Sequence, residues 1–114
     1  MNRAYDLAHQ LAKAIKDSDE YKSFIEKKEA LDQDERNKKM VEDFQKQILE
    51  IQLAYMSGKE ISEEELEKIG KLEEVLNLNP VINSYFQAEL RFSQLIQDIN
   101  NIIGEAIEDV IDIE

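Results

Sequence analysis

The chain has 114 residues, 42% of them apolar and 35% charged, which is enough for a single domain, 1–114, with a modest core and too little for two. Three Gly, one Pro and no Cys or Trp, beside abundant Glu, Lys, Leu, Ile and Gln, argue for an all-α fold and against a turn-rich β fold, a disulfide framework, thiolate metal sites, iron–sulfur clusters and a Cys nucleophile. The net charge of −12 disfavours direct RNA or DNA binding, since that affinity comes mainly from Lys and Arg displacing counterions.

The first helix is expected over about Arg3 to Lys16, with Ala4, Leu7, Leu11 and Ile15 on one face, ending near Asp17-Ser18. Ser18 is placed to cap a second, short helix in which Tyr21, Phe24, Ile25 and Leu31 face inward. In Asp32-Gln33-Asp34-Glu35 the spacing suggests that Asp32 caps an amide while Glu35 reaches back, opening a third helix. That helix carries Val41, Phe44, Ile48, Ile51 and Tyr55 at heptad spacing, and Leu49, Leu53 and Met56 form a second stripe, so it is apolar on two sides. Gly58 suits the position just past its end. Ser62-Glu63-Glu64-Glu65 repeats the capping-box spacing and opens a fourth helix that should bury Leu66, Ile69, Leu72 and Leu76.

Asn79-Pro80 is the clearest boundary, because Asn caps well and Pro in the first turn gives up an amide that lacks a partner anyway. The fifth helix should run from Pro80 to about Ile111, roughly 48 Å at 1.5 Å per residue, whereas a compact domain of this size has a radius of gyration of only about 13 Å. Ile82, Tyr85, Glu89, Phe92, Ile96, Ile99, Ile103, Ala106, Val110 and Ile113 recur at alternating steps of three and four, with Val81, Ala88, Leu95 and Ile102 in a flanking row. Such a helix expects neighbours on more than one side, and a second copy of the chain is the simplest source.

No reactive constellation accompanies this pattern. The lone His9 has Asp6 three residues earlier, but no second His or Glu-x-x-His pair completes a bundle metal site, and no Ser-bearing turn makes a triad. Gly58, Gly70 and Gly104 fit neither a dinucleotide fingerprint nor a phosphate loop. Glu63-Glu64-Glu65 reads as a helix N-terminus complementing its dipole. Glu89 is the odd residue, a carboxylate in a seam slot between Tyr85 and Phe92. It either reaches the seam edge or a polar partner, or it selects the register of helix pairing.

Charge is unevenly spread. Residues 1–57 hold ten Lys/Arg and twelve Asp/Glu, residues 58–114 four and fourteen, and no basic residue follows Arg91. The acidic end of the fifth helix, with Glu105, Glu108, Asp109 and Asp112, is either a solvated terminus or a docking surface for a basic, partly apolar partner.

Several stretches resemble the YlbF/YmcA family of small helical bacterial proteins: Tyr5-Asp6-Leu7-Ala8 with Leu11, Ala14 and Ile15, then Ser18-Asp19-Glu20-Tyr21, Asn79-Pro80-x-Ile82, Tyr85 through Ile96, and Ile99-Asn100-x-Ile102-Ile103. The resemblance spans essentially the whole chain and is nearest to the cysteine-free YheA-like branch. It implies an all-helical protein that forms at least a homodimer. It further implies a non-enzymatic role beside a partner protein, YaaT, in competence, sporulation and biofilm control and in mRNA processing by RNase Y. Family members that form that complex carry C-terminal cysteines associated with an iron–sulfur cluster, and this chain has none.

The sequence therefore points to a cytoplasmic, all-α, homo-oligomeric adaptor with no catalytic, cofactor or metal residue and no membrane segment. The expected oligomer interface comprises Ile82, Tyr85, Glu89, Phe92, Ile96, Ile99 and Ile103 on the fifth helix and Phe44, Ile48 and Ile51 on the third. Glu105, Glu108, Asp109 and Asp112 form the expected partner-docking surface. A purely structural helical oligomer is the alternative, and a metal-binding bundle a third reading.

Overall fold

The computed structural model describes residues 2–108, which form five α-helices and no strand. They are α1 (Arg3–Asp17), α2 (Asp19–Asp32), α3 (Glu35–Met56), α4 (Glu63–Asn77) and α5 (Pro80–Ile107). At 28 residues, α5 is about 42 Å long. Within the described residues it ends at Ile107, with Glu108 in a turn, and the remainder of the expected helix, 109–111, lies outside them.

The helix ends follow from local side-chain chemistry. Asn2 Oδ1 accepts the Ala4 amide at 2.9 Å and starts α1. Ser18 closes α1 by donating to the Ile15 carbonyl at 2.6 Å and opens α2 by accepting the Tyr21 amide at 3.1 Å. Ser62 Oγ accepts the Glu65 amide at 3.1 Å, as the capping-box spacing requires. The cap of α3 is Asp34, not Asp32: its Oδ1 accepts the amides of Arg36 and Asn37 at 2.9 and 3.3 Å. Asp32 instead ends α2, where an acidic side chain opposes the helix dipole, and Lys28 one turn earlier offsets that at 3.2 Å.

Gly58 ends α3 with φ +85°. Its amide donates to the Tyr55 carbonyl at 3.1 Å and the Lys59 amide to Ala54 at 3.0 Å, the paired bonds of a Schellman turn. No atom lies within 4 Å of where a Cβ would sit, so the cost of a side chain there is purely conformational. Gly58→Ala is expected to destabilise the protein by about 1 kcal/mol, read as a lower urea midpoint with an unchanged slope. An unaltered midpoint would mean that the turn relaxes without loss.

The chain divides into two compact units, Lys27–Phe86 and a second formed by Met1–Glu26 with Gln87–Glu114; the boundary falls inside α2 and inside α5. In the first, α3 packs against α4, and Leu31, Val41, Phe44, Leu76, Ile82 and Tyr85 are buried. Phe44 and Phe86 meet with ring centroids 5.9 Å apart. The half-buried Asn79 caps α5, accepting the Val81 and Ile82 amides at 3.0 and 3.3 Å, and its Nδ2 donates to Oδ1 of buried Asn37 at 2.9 Å. In the second unit Ala88 is buried. Phe92 of α5 stacks on Phe24 at 5.4 Å and meets the edge of Tyr21 at 5.7 Å.

Three residues expected inside lie outside. Ile25 is exposed because the neighbouring face of α2, with Tyr21 and Phe24, is the one turned to Phe92. Leu66 is 52% exposed. Along α4 the row Glu65-Ile69-Leu72-Leu76 runs toward the packed side, and Leu66 stands about 100° around from Glu65. Tyr55 is 74% exposed; its neighbour Ala54, about 100° around the helix, stands opposite α4 instead.

Candidate functional site

The residues expected at an oligomer interface separate into three groups. Ile82, Tyr85 and Phe44 are buried by the chain's own packing, so they hold the fold as it stands. Glu89, Phe92, Ile96 and Ile99 on α5 and Ile48 and Ile51 on α3 are half-buried, and Ile103 is exposed. The stripe on α5 is therefore graded. Ile82 near its start is 0% exposed, whereas Ile103 near its end is 51% exposed. Glu89 is not left without a partner. Of the residues expected to dock a partner, Glu105 and Glu108 are exposed, and Asp109 and Asp112 lie outside the described residues.

Exposed apolar side chains concentrate elsewhere as well. On α3, Leu49, Leu53 and Met56 form an uncovered stripe at steps of four and three. On α1, Leu7 and Leu11 are exposed one turn apart, Tyr5 is exposed on another side of the helix, and no residue is buried. Scattered exposed hydrophobes are ordinary, but runs at helical spacing mark surfaces suited to another helix.

Two grooves accompany these surfaces, and the sequence pattern did not single out either. One, about 430 Å³, lies between the start of α2 and the middle of α5. Ala88 and Leu95 supply its apolar lining, with Asp19, Glu20 and Asp98 against a single cation, Arg91. Gln94 Nε2 donates to Asp98 Oδ1 at 2.8 Å. The other, about 230 Å³, lies between α3 and α4 and is lined by Ile51, Ala54 and Ile69 with Glu50, Glu65 and Lys68. Ser23 brings a hydroxyl to the first groove, but no His lines it, and His9 sits exposed on α1. A hydroxyl without a neighbouring base is a weak nucleophile.

Among the described residues, no group of three or more His, Asp or Glu is arranged to hold a metal ion, and no helix is long and apolar enough to cross a membrane.

The sequence pattern of a family described as control of competence regulator ComK, YlbF/YmcA matches residues 4–108, all five helices. The chain belongs to the YlbF/YmcA family. Among its relatives is a UPF0342 protein of Desulfitobacterium hafniense (strain Y51), 45% identical over 107 residues that cover 94% of this chain and 86% of that one. A UPF0342 protein of Halothermothrix orenii is 44% identical over 104 residues, covering 91% and 88%. A solved structure, a protein of unknown function (DUF964) from Bacillus stearothermophilus, superimposes with a TM-score of 0.85 over 96% of each chain at 22% identity, and shares the all-helical fold. The YlbF/YmcA family is thus described by control of a competence regulator, and neither it nor these relatives is named for a catalysed reaction.

Proposed function

We propose that this YlbF/YmcA protein is a non-enzymatic, cytoplasmic regulatory adaptor that works as a homo-oligomer, with residues 1–114 folding as one domain. Its role, through the family, is in competence, sporulation or biofilm control and RNase Y-dependent mRNA processing. The observation that carries this reading is the placement of uncovered apolar rows on α1, α3 and the end of α5, in a molecule of net charge −12. Apolar rows of this kind favour helix-to-helix association, and the acidic surface steers basic protein partners while repelling phosphate backbones. The half-buried Phe92, Ile96, Ile99, Ile48 and Ile51, with exposed Ile103, are the residues proposed to contribute to self-association. Without cysteines the chain fits the YheA-like branch, and the reading invokes no cofactor.

Light scattering during size-exclusion chromatography tests the first part: the mass should be that of two or more chains at micromolar concentration. A one-chain mass independent of concentration would overturn the oligomeric reading. Removing residues 108–114 tests the second. The truncated protein should keep its helicity and its mass while losing capture of a partner that the full chain retrieves in a salt-sensitive way. Equal, salt-independent recovery by both would leave the acidic end with no recognition role and favour a structural oligomer.

A further inference from the structure

The groove between α2 and α5 joins an apolar floor to an acidic rim, and the same helix faces carry both. On α5, Ala88, Leu95 and Asp98 line it at steps of seven and three, one side of the helix. From α2 come Asp19 and Glu20, with the half-buried Ser23 one turn on. All of these residues belong to one compact unit. Ala88 is buried and Leu95 half-buried, so the floor is part of the packed molecule. Asp19 and Glu20 stand in the first turn of α2, where carboxylates complement the helix dipole. Asp98 has no such role. It sits within α5, and the group that meets it is the neutral amide of Gln94 at 2.8 Å. Arg91 lines the groove too, yet among the described residues it forms no ion pair with any of the three carboxylates. The groove keeps an excess of negative charge beside its apolar floor.

We propose that this groove binds an arginine side chain carried on an extended segment of a partner protein. The inference rests on the adaptor reading above and names where such a partner makes one of its contacts. Arginine matches both parts of the lining. Its methylene stem covers apolar surface while its charged head stays among polar groups. Its planar guanidinium holds five donors in a fixed fork, enough to reach carboxylates on both walls at once. At about 430 Å³ the groove has the size of a small-ligand site rather than of a domain interface.

The probe is a capped pentapeptide of alanine with arginine at its centre, titrated into the isotope-labelled full chain and followed by the backbone amide resonances. The resonances of the groove residues should shift. The same peptide with citrulline, which keeps the shape of arginine without its charge, should bind roughly tenfold more weakly, and raised salt should narrow the difference. Asp98→Asn and Glu20→Gln should each weaken the arginine peptide, and Arg91→Ala, which removes a like charge, should strengthen it, with circular dichroism confirming that each variant is folded. Equal binding of the two peptides, shifts confined to other residues, tighter binding of a glutamate peptide, or weaker binding after Arg91→Ala rejects the site. Spermidine binding there more tightly than the arginine peptide assigns the groove to a free amine and rejects it as well. A rejected groove beside salt-sensitive partner capture that requires residues 108–114 leaves the adaptor reading standing. An arginine site in a protein that fails both earlier tests keeps the groove and rejects the adaptor.

Discussion

Ile82→Asp is expected to unfold the protein at room temperature. Ile82 is 0% exposed, one turn into α5, in a unit whose buried set includes Val41, Phe44 and Leu76. A carboxylate there would be taken out of water with no charge to meet it, at a cost of several kcal/mol, against a total stability of about 5–15 kcal/mol for a domain. The same substitution at Ile102, on the same helix and 67% exposed, should change the stability of the isolated chain by no more than about 0.5 kcal/mol. Ile96→Asp, at a half-buried site, should fall between the two. Circular dichroism under urea ranks the three, and the ranking follows burial along α5 rather than heptad position. The boundary between the compact units falls inside α2 and α5, so the helical signal and the tyrosine fluorescence should be lost together in each variant that still shows a transition. Equal stabilities for Ile82→Asp and Ile102→Asp would refute the graded packing of α5.

The second large effect is expected at Asn79. Its Oδ1 caps α5 by accepting two amides, and its Nδ2 donates to Asn37, a residue 42 positions earlier in the chain. Asn79→Ala removes the cap, worth about 1 kcal/mol, and strands the Asn37 carbonyl oxygen in a buried place, worth about 1–3 kcal/mol. A combined loss of about 2–4 kcal/mol should appear in urea unfolding. Asn79→Asp discriminates the two contributions, since a carboxylate caps equally well but cannot donate to Asn37. It should recover only the capping part. If Asn37→Ala, Asn79→Ala and the double variant gave strictly additive losses, the two side chains would not be coupled, and the bond between α3 and α5 would have no energetic role.

What the sequence by itself determined about this protein is what depends on near neighbours in the chain. Five helices, the caps Ser18, Ser62 and Asn79, the positive-φ turn at Gly58 and the all-α class are read within windows of a few residues, because each helix end is satisfied by groups two to four positions away. The family was legible for the same reason, carried by local patterns along all five helices. Asp34 displaced Asp32 as a cap because both are acidic and two residues apart, so only the actual course of the backbone chooses between them.

Periodicity identifies a face but not what covers it. The regular stripe on α5 gave Ile82, Tyr85 and Ile103 equal standing, and only the tertiary structure separated them, burying the first two and leaving the third exposed. Ile25, Tyr55 and Leu66 lie about one residue's turn away from the faces that pack, a 100° difference that an apolar pattern with several rows cannot resolve. The Asn37–Asn79 bond and the groove between α2 and α5 bring together residues more than 40 positions apart. Such meetings depend on where whole helices lie, which no local spacing encodes. The uncovered faces of α1 and the end of α5 emerged in the same way, as what remains after the chain has packed whatever it can reach.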